Sequence, residues 1–139
     1  GTMAAPTTSP EYAADRSSIV ETVNRVALNW DDGAFDVARL SFADEVTIDY
    51  RSLGAPEVTV DPLDKLEGNW RAVLPGFDTT QHLLGSHCVD VVGDEATCRS
   101  HVTAFHYIKG AEGGETWTIT GSYTHKLRRG ADGRWLITA

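Results

Sequence analysis

The sequence predicts an α+β domain, a cone-shaped curved antiparallel sheet with N-terminal helices packed on its concave face. Helical periodicity dominates residues 11–76, whereas residues 79–138 contain β-rich segments separated by short turn sequences. Helices followed by a meander of strands are typical of this fold class. We expect one domain over residues 11–139, preceded by a disordered or tag-derived tail over residues 1–10.

The helical half contains three predicted helices and one strand. Residues 11–30 carry apolar side chains at helical spacing. Asp32 follows as the predicted N-cap of a short second helix. The β-branched segment 45–53 predicts a strand. Residues 61–76 predict the third helix, because they begin with an aspartate and a first-turn proline and end in Pro-Gly.

The β-rich half predicts four strands, at residues 79–92, 96–109, 115–128 and 134–138. Strands of this length form a curved sheet, and helices on one face leave a mouth at the open end. Such a mouth can hold a small molecule.

The composition and charge of the chain disfavour two classes of binding partner. The chain has 139 residues, 41% of them hydrophobic, and a net charge of −8 with no basic cluster, so nucleic acid and anionic membranes are poor partners. No apolar run approaches the ~18 residues of a membrane span, and the N-terminus lacks the features of a secretory signal. The two cysteines, Cys88 and Cys98, show no disulfide or metal-site spacing, and we expect a cytoplasmic protein.

Two histidines occur five residues apart in the strand segment TTQHLLGSHC at 79–88. A three-residue turn after this segment would place His82 opposite His106, and opposed residues share a face. Small or apolar residues accompany this pair on the predicted pocket face: Leu84, Ala104, Ser86, Val102, Cys88 and Ser100. The other face, with His87 and His101, is predicted to face solvent or a second copy of the chain.

Asp31 is the carboxylate that local structure does not explain. It ends the first predicted helix, where an anion opposes the helix dipole at a cost of roughly 0.3–1 kcal/mol if exposed. Asp31 is a solvated loop residue or the partner of a histidine, and a carboxylate beside a histidine makes a general base. Tyr50 poses a similar choice: if Ile48 packs inward, strand alternation turns Tyr50 inward too, where its hydroxyl needs a partner.

Five motifs, in order and spacing, carry a resemblance to a known family: WDDGAF, IDYRSL, TQHLLG, AFHYIKG and DGRW. They resemble the fungal scytalone dehydratases and, more broadly, the SnoaL-like polyketide cyclase/dehydratase branch of the nuclear transport factor-like superfamily. The resemblance covers nearly the whole chain after residue 11. It implies a cone-shaped α+β barrel and a site without cofactor or metal.

The resemblance also implies roles for single residues. His82 and Asp31 match the base pair, and His106 matches a histidine near the departing hydroxyl. Tyr50 matches one of two tyrosines that hold a water against the substrate carbonyl, whereas Trp30 stands at the position of the other. Substrate-binding residues are expected at Trp30, Leu53, Ala104, Ser122 and Tyr123.

Strand alternation leaves one pair of positions open on the third long strand. The resemblance places substrate-binding residues at Ser122 and Thr124, whereas alternation offers Tyr123 and His125 as the inward pair.

The predicted function is a cofactor-independent lyase that removes a proton α to a ketone and expels a β-hydroxyl from a small aromatic or polyketide-like substrate. The same dyad suits an isomerase, a cyclase or a dehydrohalogenase, since all begin with a proton transfer. A metal site of His82, His106 and Asp31 is the second hypothesis. A small-molecule binding protein without catalysis is the third. We expect a homodimer or homotrimer.

Overall fold

A long helix, α1, packs along a four-stranded antiparallel sheet in the computed structural model, which describes residues 3–139. The sheet order is β3-β4-β5-β6, and a separate two-stranded sheet pairs β1 with β2. The helices are α1 (Pro10–Asp31), α2 (Phe35–Ala38) and α3 (Leu63–Val73); the strands are β1 (Glu45–Ile48), β2 (Thr59–Pro62), β3 (Thr79–Val92), β4 (Glu95–Tyr107), β5 (Thr116–Arg129) and β6 (Trp135–Ile137). The predicted α+β fold, with an N-terminal helix on a curved antiparallel sheet, is confirmed.

Helix α1 begins and packs as its sequence requires. The hydroxyl of Ser9 accepts the backbone N–H of Tyr12 at 3.1 Å, and Pro10 occupies the first turn, where its missing N–H costs no hydrogen bond. The apolar stripe of the helix then covers one face of the sheet, which we call the inner face. The buried residues that form this contact include Ile19, Val23, Val26, Val89, Val91, Ala96, Cys98 and Leu127.

The segment that precedes α1 also contacts the sheet. The backbone N–H of Ala5 donates to the carbonyl of Val91 at 2.7 Å. The predicted tail spans residues 1–10, and its first two residues lie outside the described part of the chain.

The second helix does not begin at Asp32. The N–H of Asp32 donates to the carbonyl of Leu28 at 3.0 Å, so Asp32 is the C-cap of α1. Helix α2 is only four residues long and follows Ala34, which provides no side-chain cap. The predicted N-cap at Asp32 was therefore wrong, because the backbone uses this residue to end the preceding helix.

The predicted strand 45–53 ends early, at Ile48. The carboxylate of Asp49 accepts the backbone N–H of Arg51 at 3.2 Å and turns the chain into a 3₁₀ segment, Arg51–Leu53. Strand alternation therefore does not extend from Ile48 to Tyr50, and the prediction that the two side chains share a face was wrong in its premise.

Strand β2 was not predicted, and it takes the start of the expected third helix. Asp61 lies in β2 opposite Val46, buried at 9% exposure, and α3 begins at Leu63 after Pro62. Four residues carry too little periodicity to be identified as a strand without their partner.

The hairpin of β3 and β4 closes with a two-residue turn, Gly93-Asp94, rather than the predicted three-residue turn. Ser86 then adopts a left-handed backbone (φ 55°) in a bulge between Gly85 and Cys88. His82 consequently pairs with Ala104, and the predicted pairing with His106 was wrong.

The bulge decides which side chains reach the inner face. The two-residue turn shifts the pairing of β3 with β4 by one residue relative to the predicted register, and the bulge shifts it by one more. Because a shift of two residues leaves each side chain on the same face, His82 and His106 still share a face. Beyond the bulge the alternation is reversed, and His87 turns inward while Cys88 is exposed. The prediction that His87 lies on the outer face was therefore wrong.

Cys88 and Cys98 are free thiols. Within residues 3–139, no helix is both long enough and apolar enough to cross a membrane.

Candidate active site

A carboxylate and an imidazole form the centre of the candidate site. Asp31 is the last residue of α1, and its Oδ1 lies 2.7 Å from Nδ1 of His82 on β3. Oδ2 accepts the backbone N–H of His82 at 2.8 Å, and the hydroxyl of Thr80 donates to Oδ1 at 3.0 Å. Three hydrogen bonds thus offset the unfavourable position of the carboxylate at the C-terminal end of the helix.

This geometry sets the tautomer of His82. A carboxylate only accepts hydrogen bonds, so Nδ1 of His82 carries the hydrogen and Nε2 of the neutral ring carries a lone pair. The side chains of His82 and Asp31 are only 8% and 14% exposed, which shields the pair from water. A buried imidazole held in this way can act as a general base.

His106 lies beside this pair on the inner face. Its ring centroid is 6.0 Å from that of His82, and its Nδ1 is 3.2 Å from the carbonyl oxygen of Trp117. Because a carbonyl accepts, Nδ1 of His106 carries the hydrogen, and Nε2 of the neutral ring is again unprotonated. The rings of Phe77 and Trp117 each lie 4.8 Å from His106 and make its surroundings aromatic.

Trp30 contributes a polar atom as well as an apolar wall. Its ring centroid lies 5.6 Å from that of His82 and 5.7 Å from that of Trp70. The indole Nε1 is buried and has no hydrogen-bond partner among residues 3–139. Unpartnered buried donors are rare in proteins, which sets this N–H apart as a candidate donor beside His82.

Two tyrosines complete the polar lining. Burial, assisted by the nearby charges of Tyr50 and Asp31, raises the pKa of Tyr123 to about 12, so these three side chains share one region. Tyr50 is 53% exposed, yet neighbouring atoms desolvate its phenol and raise its pKa. Both phenols therefore remain protonated and able to donate at physiological pH.

The expected substrate-binding residues separate into two groups. Ala104, which pairs with His82, is buried on the inner face, and Tyr123 turns inward on β5. Ser122 is exposed on the outer face, opposite the exposed His101, and Leu53 is 79% exposed in its 3₁₀ segment.

Alternation on β5 therefore selects Tyr123 and His125 as the inward pair. Leu127 is buried in the core, and residues two and four positions before it point the same way. The placement of Ser122 and Thr124 in the pocket was wrong, because both are an odd number of positions from Leu127 and their side chains are exposed on the outer face.

A further group on the inner face escaped the sequence analysis. His87 and His125 turn inward near the fully buried Ser100. Burial lowers the pKa of His125 to about 4, with a smaller effect from His87, and burial also lowers the pKa of His87, assisted by the charge of Arg16. The sequence signal was hidden, because only the bulge at Ser86 directs His87 inward.

The arrangement of these residues does not resemble a metal centre. Among residues 3–139, no group of three or more His, Cys, Asp or Glu side chains is positioned to hold a metal ion.

A comparison with protein-family profiles gives one match. The sequence profile of the SnoaL-like domain matches residues 11–139. No curated protein shows significant sequence similarity to the chain.

Solved structures share the fold. A Kribbella flavida protein is 30% identical over 91% of this chain and 88% of its own, with a TM-score of 0.84. A candidate scytalone dehydratase from Novosphingobium aromaticivorans is 19% identical over 91% and 81%, with a TM-score of 0.77. A candidate dehydratase of the nuclear transport factor 2-like family from Streptomyces avermitilis is 15% identical over 91% and 93%, with a TM-score of 0.71.

Proposed function

Because the chain belongs to the SnoaL-like domain family, we propose that it is a cofactor-independent lyase that dehydrates a small aromatic or polyketide-like hydroxy ketone. The observation that carries the proposal is the contact of 2.7 Å between Asp31 Oδ1 and His82 Nδ1. The contact leaves an unprotonated nitrogen beside an aromatic wall. This is the group that a proton abstraction next to a carbonyl requires.

The proposed reaction begins when Nε2 of His82 removes the proton α to the ketone. Asp31 stabilises the imidazolium that results, as a carboxylate partner does in other histidine bases. The electrons of the C–H bond form an enolate and then the C=C bond, while the C–O bond to the β-hydroxyl breaks. The proton on His82 passes to the departing hydroxyl, which leaves as water.

His106 would orient the leaving group in this scheme. Nε2 of its neutral ring, with Nδ1 committed to the carbonyl of Trp117, can accept a hydrogen bond from the β-hydroxyl. Since the ring centroids of His82 and His106 are 6.0 Å apart, this bond would keep the hydroxyl close to the protonated base. Precise placement of this kind lowers the barrier without any further group.

The enolate needs hydrogen-bond donors, and two are available. The N–H of Trp30 is buried without a partner next to the ring of His82. The phenol of Tyr50 lies in the region shared by Tyr123 and Asp31. Donors held in place before the charge develops stabilise it strongly in a site shielded from water.

A screen of aromatic β-hydroxy ketones tests the proposal. Dehydration produces a conjugated enone, whose ultraviolet absorbance reports turnover. We expect His82→Ala to lose about 10²–10⁴-fold in kcat/KM, whereas His101→Ala, on the exposed outer face of β4, should retain it. Equal activity of wild type and His82→Ala on every substrate turned over would overturn the role of the dyad.

The same screen separates related reactions. Isomerisation, cyclisation and dehydrohalogenation also begin at a proton next to a carbonyl, and mass analysis of the product distinguishes them from loss of water.

A further inference from the structure

Three buried polar atoms on the inner face have no hydrogen-bond partner within the described residues 3–139: Oγ of Ser100, Nε2 of His87 and Nδ1 of His125. Ser100 is only 1% exposed. A buried polar group without a partner is unfavourable, and proteins rarely accumulate several at one place. We call these three residues the distal cluster.

Backbone strain contributes to this arrangement. Ser86 has a left-handed backbone with φ 55°, in the bulge that faces Ser100 across the β3–β4 pair. A residue other than glycine in this region is strained and persists only where the surrounding structure holds it. The bulge re-aims His87 to the inner face, which is a role that bulges commonly have beside binding sites.

The distal cluster lies along the same inner face as the dyad, at a defined distance. His82 pairs with Ala104, and Ser100 lies four residues before Ala104 in β4. The level of the dyad and the level of the distal cluster are therefore about 13 Å apart, at ~3.3 Å per residue. Tyr123 pairs with Ser100, and its ring centroid lies 5.4 Å from that of His125. Beyond Ser100 the inner face becomes packed apolar core, from Cys98 onward.

A glycine lies between the two levels. Gly121 pairs with Val102, midway between Ala104 and Ser100, and shares the inward parity of Tyr123. A Cβ atom added at Gly121 would meet no described atom within 4 Å, whereas Val102 is only 7% exposed. A substrate that extends from the dyad to the distal cluster would therefore pass Gly121, where no side chain blocks it.

We infer that the distal cluster is a second binding subsite, which takes an uncharged hydroxyl or carbonyl group at the end of an elongated substrate remote from the reacting carbon. This inference rests on the proposed function for the position of the reacting end. Burial lowers the pKa of both histidines, so their neutral forms offer donors and acceptors. The charge nearby is that of Arg16, whose guanidinium donates to the backbone carbonyl of His87 at 3.3 Å. A hydroxyl can donate and accept at once and so suits these groups, whereas a carboxylate only accepts and would lose its hydration.

Calorimetric titration with 4,4′-dihydroxybiphenyl tests the inference, because this rigid probe carries a hydroxyl at each end. Ser100→Ala removes one hydroxyl and should weaken binding about three- to tenfold, the effect of one neutral hydrogen bond. His87→Phe keeps the ring shape, removes the nitrogen and should act in the same direction.

Matched controls use the same substitutions on exposed surfaces. Ser18→Ala, on the solvent face of α1, and His101→Phe, on the outer face of β4, should bind the probe as wild type does. Unchanged affinity in both Ser100→Ala and His87→Phe, with thermal unfolding near that of wild type, overturns the inference. The unpartnered atoms would then bind water only.

The experiment also separates this inference from the proposed function, because binding requires no turnover. Ser100→Ala should lower the affinity for the probe by the same factor in a His82→Ala background as in the wild-type background. If His82→Ala remains an active enzyme while Ser100→Ala still weakens the probe, the function proposed for the dyad fails and the subsite stands.

Discussion

Replacing Asp31 by asparagine changes one atom of the dyad and tests how the carboxylate acts. Oδ1 accepts the Nδ1–H of His82 and the hydroxyl of Thr80, and Oδ2 accepts the backbone N–H of His82. An amide supplies one oxygen and one NH₂ group in their place. Whichever way it is oriented, the NH₂ group meets an atom that was a donor.

The two orientations have different consequences. If the NH₂ group faces the backbone, the N–H of His82 loses the carboxylate as its acceptor, at a cost of about 1–3 kcal/mol in the free energy of unfolding. If it faces the ring, Nδ1 must become an acceptor and the ring hydrogen moves to Nε2. The lone pair that would remove the substrate proton is then lost.

Both orientations should lower kcat/KM by about 10²–10⁴ in the enone assay, the first by removing the negative charge beside the imidazolium, the second by changing the tautomer. Urea unfolding and ¹⁵N chemical shifts of His82 distinguish them. Asp32→Asn, at the adjacent and exposed residue, is the matched control and should keep wild-type activity.

The double variant Asp31→Asn/His82→Ala provides the decisive comparison. In the proposed mechanism the two residues act as one unit, so the double variant should be about as slow as the slower single variant. Losses that multiply would refute the reasoning, since they would mean that the two side chains contribute separately.

Three further predictions concern Tyr50, Trp30, His125 and Ser122. Tyr50→Phe and Trp30→Phe each remove one donor to the developing enolate, and each should lower kcat by about 10²–10³ with little change in KM. Steady-state kinetics measure this effect. If Trp30→Phe has the kcat of wild type, the indole N–H is not a donor to the enolate. The pKa of His125 is lowered from 6.5 to about 4 in the folded protein, so the unfolded chain binds this proton more readily. The free energy of unfolding should therefore be highest above pH 6.5 and fall by up to about 3 kcal/mol as the pH drops toward 4. Urea unfolding between pH 7.5 and 4.5 should show a shallower decline for His125→Gln, and an identical decline would contradict the buried neutral ring. Ser122→Ala should leave kcat and KM unchanged, because this side chain is on the outer face, and a raised KM would contradict that placement.

Much of the fold was predictable because its signals are local. Helix α1 was expected over residues 11–30 and spans Pro10–Asp31, and the strand expected over 79–92 is β3. Apolar spacing along a short window decides such elements, with no need for a distant partner. Strand β2 was missed for the opposite reason, since its four residues are a strand only through pairing with β1.

The candidate site was partly predictable. The absence of any local role for Asp31 left two interpretations, a solvated loop carboxylate or the partner of a histidine, and the structure provides a partner 51 residues away in His82. The parity of His82 and His106 followed from strand alternation, although the pairing itself was wrong by two residues.

Tertiary structure alone decided the remainder, and the backbone of Ser86 is the clearest case. The sequence by itself determined where α1 and the long strands lie and which carboxylate lacks a local role, because periodicity and helix termini are properties of neighbouring residues. A single left-handed residue reversed the alternation of everything beyond it, directing His87 inward and Cys88 outward. The conformation of Ser86 depends on the balance between local strain and the pairing of two long strands. That balance involves residues far apart in the chain, and no short stretch of sequence contains it.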